Sequence, residues 1–390
     1  MEQSATAMKI LTVCYEYPPV GGGGGNMARN IAAGLVRRGH EVRVQTARIA
    51  GLSKCEIVDG VMIRRSFAFR RRADFCTVPE MCGYLAGALL PTWRIASTWK
   101  PDCIHAHFAV PSGALAFAVG KLTRIPYLVT VHLGDLPGGN PDQTDHLFRV
   151  LDPLIRPIWR NASAVSASSI FAADLARTAY GITPEIIHNG ISMDGRPSAV
   201  HPAGEELRLV AIGRFNPQKN FPWMISMLAE CRFPWSLDLI GDGSQAGEVR
   251  DAISSSNLGD RIRLHGWLPE AAMRETLAAS DILLMPSTSE GNPVAAIEAL
   301  KQGVAILGSD APGLNDLIEN NGNGYAVSLD SSGLYRSKLE ELSANRGVLT
   351  AMKRRSLELS ERFDIERISS EFERLLQSVA SCRSPLRAES

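Results

Sequence analysis

The chain has 390 residues, 45% apolar and 21% charged, with 41 Lys and Arg balanced by 41 Asp and Glu. That length exceeds what a single hydrophobic core usually serves and asks for two domains, with an apolar fraction ordinary for a soluble globular protein. The balance is uneven: residues 1–192 carry 20 cations against 14 anions, a net +6, and residues 193–390 carry 21 against 27, a net −6. The asymmetry has two readings: a first half that meets an anionic acceptor or a membrane surface, or two domains with differently solvated faces.

Seven scattered cysteines without a C-x-x-C pair argue for free thiols in a reducing compartment, against a disulfide frame or a zinc site. The opening residues MEQSATAMKILTVCYEYPP hold one Lys and a short apolar run, which reads as a first strand and not a signal peptide. Cys82–Ala96, the most apolar stretch, is broken by Pro91 and Arg94 and is too short to span a bilayer. A cytoplasmic protein, peripheral at most to the inner face of the plasma membrane, is the expectation. The six tryptophans lack interleaved basic residues, so no nucleic-acid partner is expected.

In chain order, KILTVCY (9–15) reads as a buried parallel strand, followed by a loop of five glycines (21–25) and a helix from Asn26 to Arg38. EVRVQT is the second strand, so a βαβ unit opens the chain. RRSFAFRRR (64–72) reads as a flexible basic loop or, equally, as a contact for anionic lipid or an acceptor phosphate. CIHAHF (103–108), PYLVTVHLG (126–134), ASAVSAS (162–168) and PEIIHNGI (184–191) extend the series, with a helix over 112–122. A polar stretch at 192–206 separates it from a second alternation. LRLVAIG (207–213), SLDLIGDG (236–243), RIRLHGW (261–267), DILLMPS (281–287) and VAILGS (304–309) are its strands. Helices fall near 220–230, 246–257 and 270–279, and from about 294. FDIERISSEFERLLQSV (363–379) is an amphipathic helix that could pack on its own domain or cross back to the first. The fold class is α/β: two Rossmann-like doubly wound domains facing across a cleft.

Ligands of such sheets sit beyond the carboxyl ends of the strands. There the first domain offers Gly21–Gly25, His105, His107, and His132 with Gly134-Asp135. The second offers Arg214 and Lys219 in GRFNPQKN, Gly241-Asp242-Gly243, Gly266-Trp267-Leu268 and the segment from Glu290 to Glu298. Pro293 suits the first position of a helix, whose free N–H groups and dipole favour an anion. Arg214 and Lys219 add a guanidinium fork and a mobile ammonium. Glu298, one turn into the helix, suits paired hydroxyls such as a ribose, and Glu290 lies beside whatever the phosphate carries. Together these groups describe a nucleoside-diphosphate sugar. Each also has a plain structural reading: helix-entry acids, a solvated turn, core histidines. His105 and His107 alternate as a metal pair would, but no further ligand is near in sequence, so a structural or acceptor-side role fits better.

These motifs resemble those of the family 4 glycosyltransferases, retaining enzymes of the GT-B fold that use nucleotide-sugar donors. PPVGGGGGNMARN, HAHFAVPSG, VTVHLGD, IIHNGI, GRFNPQKN, LIGDG, HGWLPE, SEGNPVAAIEA and FDIERISSEF carry the likeness over nearly the whole chain. It implies that Arg214 and Lys219 bind the donor diphosphate and stabilise its departing charge. Glu298 would hold the ribose, Glu290 the sugar hydroxyls, and Gly291, Asn292, Val294 and Ala295 would offer main-chain amides. Leu268 would meet the base through its backbone, His132 would sit near the reacting sugar, and Gly22, Gly23 and Gly24 would let the acceptor side approach the diphosphate. It also implies an N-terminal acceptor-side domain over 1–192, joined by a crossover helix at 364–380, and a donor domain over 193–363.

The expected activity is transfer of a hexosyl group from a UDP- or GDP-sugar to a hydroxyl acceptor (a saccharide, a lipid-linked molecule or a small molecule), as in polysaccharide, glycolipid or glycoconjugate biosynthesis. No Asp-x-Asp pair occurs in the sequence, so no metal and no cofactor are expected. HNG stands where many relatives carry PNG. A nucleotide-sugar epimerase or hydrolase on the same fold, or a non-catalytic nucleotide-sugar binder, are the rival readings.

Overall fold

The computed structural model describes residues 6–73, 76–139, 141–202 and 204–382. The first five residues of the opening segment therefore lie outside the described residues, as does one residue of the 192–206 stretch. Contacts divide the chain into two units, one running to Ser192 and resuming at Ile365, the other spanning Met193–Asp364.

In the first unit the elements run β1 (Lys9–Cys14), α1 (Gly23–Arg37), β2 (Glu41–Arg48), β3 (Cys55–Val58), β4 (Val61–Phe67), α2 (Val78–Trp99), β5 (Cys103–His107), α3 (Ala114–Thr123), β6 (Tyr127–Val131), α4 (Pro141–Asn161), β7 (Ala164–Ala167), α5 (Ile170–Tyr180) and β8 (Glu185–Ile186). The eight strands lie in the order β3-β4-β2-β1-β5-β6-β7-β8, parallel except for the edge pair β3 and β4. In β1, Leu11 and Val13 pack with α2 and α3, while Ile10 and Cys14 pack under α1. Both faces are covered, which is why these strands read as continuous apolar runs.

In the second unit follow β9 (Leu207–Ile212), α6 (Phe221–Ala229), β10 (Trp235–Ile240), α7 (Ala246–Ser255), β11 (Ile262–Gly266), α8 (Glu270–Ala279), β12 (Ile282–Met285), α9 (Val294–Lys301), β13 (Ala305–Ser309), β14 (Gly324–Val327), α10 (Ser332–Ala344) and α11 (Arg346–Leu359). Its six strands are all parallel, in the order β11-β10-β9-β12-β13-β14. The last helix, α12 (Ile365–Ser381), returns to the first unit. Its Ile368, Phe372 and Leu376 join Met27, Ile31 and Leu35 of α1 in one apolar cluster.

Three local expectations change. The helix after β1 begins at Gly23, not Asn26, so three glycines form its first turn. RRSFAFRRR is not a loop throughout: Arg64–Phe67 complete β4, paired with β2 and β3. Pro293 is the N-cap of α9 and not its first helical residue, with extended ψ (123°). The β3–β4 hairpin and β14 had no reading in the sequence, being short and partly polar.

α1 and α12 approach most closely at Gly34, where a Cβ would collide with the Ser369 side chain. Gly34→Ala is expected to cost about 1–3 kcal/mol through overpacking, and Ser369→Gly in the same chain to recover most of it. Chemical denaturation of the parent and the two variants measures both.

Candidate functional site

In each sheet the chain builds outward from a central strand in one direction and then reverses. The reversal falls between β1 and β5 in the first unit and between β9 and β12 in the second. Loops leaving two such neighbouring strands diverge to opposite faces and leave a crevice at the strands' carboxyl ends.

In the second unit the crevice is framed by the loop after β9 and the loop after β12. Asn216 accepts the Lys219 N–H through its side chain at 3.1 Å, and Pro217 opens a single 3-10 turn there. Gln218 ties this loop to the other one. Its Nε2 donates to the Ser289 carbonyl at 2.8 Å, and its own carbonyl accepts the Thr288 N–H at 2.8 Å. Lys219 lies along Gly213, where a Cβ would come within 3.0 Å of its Cε. Its Nζ reaches Glu290 Oε1 at 2.5 Å. Glu290 is only 5% exposed, so Lys219 compensates a carboxylate that would be costly to bury alone.

Arg214 differs: it is half-buried and, among the described residues, has no ion pair or hydrogen bond. A cation held partly out of water without a partner suits an incoming anion. The Gly241-Asp242-Gly243 turn packs against this loop, with Phe215 N–H donating to the Asp242 carbonyl at 3.0 Å. A side chain at Gly241 (φ 141°) or Gly243 would strike the Gly213 or Phe215 carbonyl.

After β12, Asn292 adopts φ 75°, a left-handed conformation Asn tolerates, and the chain turns into α9. A Cβ at Gly313 would overlap the Glu290 carbonyl, so the turn at Pro312–Leu314 braces this loop from behind. The first-turn N–H groups of Val294 and Ala295 meet no acceptor among the described residues, whereas those of Ala296 and Ile297 bond to Pro293 O. Both residues are half-buried. Glu298, its side chain 17% exposed, lies 4.0 Å from Lys301 Nζ. Burial raises its pKa above the usual carboxylate range, only partly offset by Lys301. Leu268 follows Gly266 (φ 65°) and is half-buried beside the exposed Trp267.

In the first unit the crevice holds the first turn of α1 and the ends of β5 and β6. Gly22 caps the helix without a side chain, and the N–H groups of Gly23, Gly24 and Gly25 meet no acceptor among the described residues. At Gly24 a Cβ would come within 3.2 Å of the His132 ring, so of the five glycines this one permits the close approach. His132 stacks on Phe108 with centroids 4.2 Å apart, and its Nε2 lies 3.4 Å from His107 Nδ1. His107 is in turn 4.3 Å, centroid to centroid, from His105, whose Nε2 meets Thr130 Oγ1 at 2.7 Å. Burial drives all three imidazoles toward neutrality, His105 to about 3 and His132 to about 4. Among the described residues no group of three metal-type ligands gathers, here or elsewhere.

Asp135, three residues after His132, organises this site. Its two carboxylate oxygens accept the Ala109 N–H at 3.0 Å and the His132 N–H at 2.9 Å, fixing the turns after β5 and β6 together. Burial pushes its pKa up to about 7, against the pull of those N–H donors. A carboxyl raised in this way favours the fold most below its unfolded pKa, and that contribution is lost as pH rises through about 7. Between about pH 4 and pH 7 this group's contribution to the unfolding free energy falls, opposing the rise that the three neutral histidines contribute over the acid part of that range, so Asp135→Asn should make stability rise more steeply with pH than in the parent. Denaturant titrations across the range read the slope.

The geometry can now be set beside known proteins. Residues 21–194 match the model for Glycosyltransferase Family 4, and residues 197–358 match that for Glycosyl transferases group 1. A 2-deoxystreptamine N-acetyl-D-glucosaminyltransferase of Streptomyces fradiae is 28% identical over 339 residues, 78% of each chain. The sucrose-phosphate synthase of Thermosynechococcus elongatus superposes with a TM-score of 0.81 at 18% identity, covering 96% of this chain and 99% of that one. Anabaena HepE, solved with UDP and glucose, superposes with a TM-score of 0.75 at 18% identity, covering 95% and 100%. No helix among the described residues is long and apolar enough to cross a membrane. The chain belongs to the family 4-type glycosyltransferases and has the GT-B fold.

Proposed function

We propose that the protein transfers a hexosyl group from a UDP- or GDP-sugar to a hydroxyl acceptor with retention at the anomeric carbon. The observation that carries this reading is the half-buried Arg214, without a partner among the described residues, five residues from Lys219 at the reversal between β9 and β12. The N–H groups of Val294 and Ala295, which meet no acceptor among the described residues, stand on the other side of that reversal. HepE, of the same fold, was crystallised with UDP and glucose, which supports a uridine donor as the first to try.

The diphosphate is read as binding between Arg214, Lys219 and the first turn of α9. There fixed cations and aligned N–H dipoles favour the charge that builds on the leaving group. Lys219 would share its ammonium between Glu290 and phosphate. Glu290, freed of part of its counter-charge, can accept hydroxyls of the transferred sugar. Glu298 is the proposed ribose acceptor: a carboxylate held in a poorly hydrated place, its pKa raised by burial, gains most from two hydroxyl donors. Gly291 and Asn292 would add polar contacts to the sugar, and the Leu268 backbone would meet the base. His132 and the turn Gly22–Gly24 are assigned to the sugar and acceptor side. Neutral His132 can donate or accept a hydrogen bond but carries no charge to repel. With Arg214 and Lys219 supplying the positive charge, the transfer is proposed to need no metal, and the leaving phosphate to take the acceptor proton. Seven free cysteines support a reducing, cytoplasmic setting.

Because Arg214 has no partner among the described residues, Arg214→Ala should leave the melting temperature unchanged or slightly raised while weakening UDP binding. Thermal shift against UDP-, GDP- and ADP-sugars measures affinity and stability together, and identifies the base. Lys219→Ala and Glu298→Ala should each lower transfer by about tenfold or more in a folded protein. Near-normal turnover in both would remove the basis of the assignment.

A further inference from the structure

The surface running from β4 along α2 to the end of α3 is not used by the chemistry above. Phe67 and Phe69, 53% and 66% exposed, pack edge to face at 4.4 Å. They lie against α2 at its two glycines: a Cβ at Gly83 would touch the Phe69 ring at 2.6 Å, and one at Gly87 would strike the Phe67 carbonyl. Helical spacing continues the line of Gly83 and Gly87 through Leu90 and Arg94, with Leu89 and Trp93 one step round. Leu89, Leu90 and Trp93 are all exposed, Leu90 by half. Trp93 shares a shallow groove with Lys100 and Leu122, and Leu122 is 66% exposed. An apolar strip thus extends from the phenylalanine pair to the end of α3.

The charges beside it are mostly of one sign; at the Phe69 end Glu80 is engaged by the N–H groups of Arg71 and Thr77, at 3.0 and 2.7 Å. Between Met81 and Arg124 the only acidic residue is Asp102, already bonded to the Lys9 N–H at 2.8 Å, against exposed Arg94, Lys100, Lys121 and Arg124. Exposed Arg64 and Arg71 flank the phenylalanines. Arg65 and Arg70 belong to the fold instead, buried against Glu56 and Glu16.

We propose that this strip docks the first unit on an anionic lipid bilayer. Phe67, Phe69, Leu90 and Trp93 enter the interfacial layer, and the surrounding cations face headgroup phosphates. Apolar and aromatic side chains gain by leaving water, and cations gain from the negative surface potential. A second copy of the chain is a poorer occupant, since a two-fold contact through this strip would set cation against cation. The helix lies on the membrane and does not cross it.

The test is co-sedimentation of the full chain with vesicles of phosphatidylcholine alone and of phosphatidylcholine with phosphatidylglycerol, at low and high salt. Binding is expected only to the anionic vesicles and should be released by salt. Leu90→Glu with Trp93→Glu, and separately Arg71→Glu with Arg94→Glu, should each lower it about tenfold or more. Melting temperature and UDP affinity should be unchanged, because these side chains are exposed. UDP affinity also tests the donor site independently, so failure of either proposal is recognised apart from the other. Absence of pelleting, equal binding to neutral vesicles, or variants that bind like the parent would overturn the assignment. A concentration-dependent dimer in velocity sedimentation, lost in the Leu90/Trp93 variant and without vesicle binding, would give the strip to a second copy.

Discussion

The contact between Lys219 and Glu290 at 2.5 Å joins residues 71 apart in sequence, and it exists because β9 and β12 are neighbours. The strand order sets this adjacency. After building outward from β9 to β10 and β11, the chain adds β12 on the other side of β9, and the two loops then leave in opposite directions. Gln218, bonded to both Thr288 and Ser289, holds those loops in register. Everything ascribed to the donor side depends on that reversal, including the half-buried Arg214 and the open first turn of α9.

The first unit solves the same topological problem with different groups. Its reversal lies between β1 and β5 and presents the glycine turn of α1, stacked Phe108 and His132, and a column of neutral histidines leading inward to Thr130. Charge is supplied in the second unit by Arg214 and Lys219. In the first it is kept away, because burial holds the imidazoles uncharged and Asp135 is engaged by backbone donors. Several of these groups are poor choices for stability alone: a guanidinium unpaired among the described residues, a raised carboxyl at Glu298, three glycines in a helical turn. Sites that must receive a polar ligand commonly carry such local penalties, offset by a well-packed frame.

That frame includes the end of the chain. Glu373 of α12 accepts from Arg38 Nε at 2.6 Å and pairs with His40 Nε2 at 2.8 Å, while His40 Nδ1 accepts the Met8 N–H at 3.1 Å. The last helix is thereby fastened to the start of the first strand and to the end of α1. Its apolar face completes a layer over the sheet that α1 alone leaves open.

Strands of the parallel sheets and the positions of Arg214, Lys219, Glu290 and Glu298 were legible in the sequence, because buried parallel strands read as apolar runs and strand-end loops carry the polar chemistry. The charge states and pairings were not. That Lys219 is occupied by Glu290 while Arg214 meets no partner among the described residues, that Gly24 is the glycine beside His132, and that Asp135 ties two turns together depend on which strands lie side by side. So does the exposed strip beside Gly83 and Gly87. Helix boundaries at Gly23 and Pro293 also escaped local reasoning, since tertiary packing overrode glycine's low helical propensity at the first and extended backbone kept Pro293 just outside α9. Sequence alone determined the order of elements and the kinds of group available. Tertiary structure decided which groups meet, because adjacency in a parallel sheet follows from crossover topology and not from nearness along the chain.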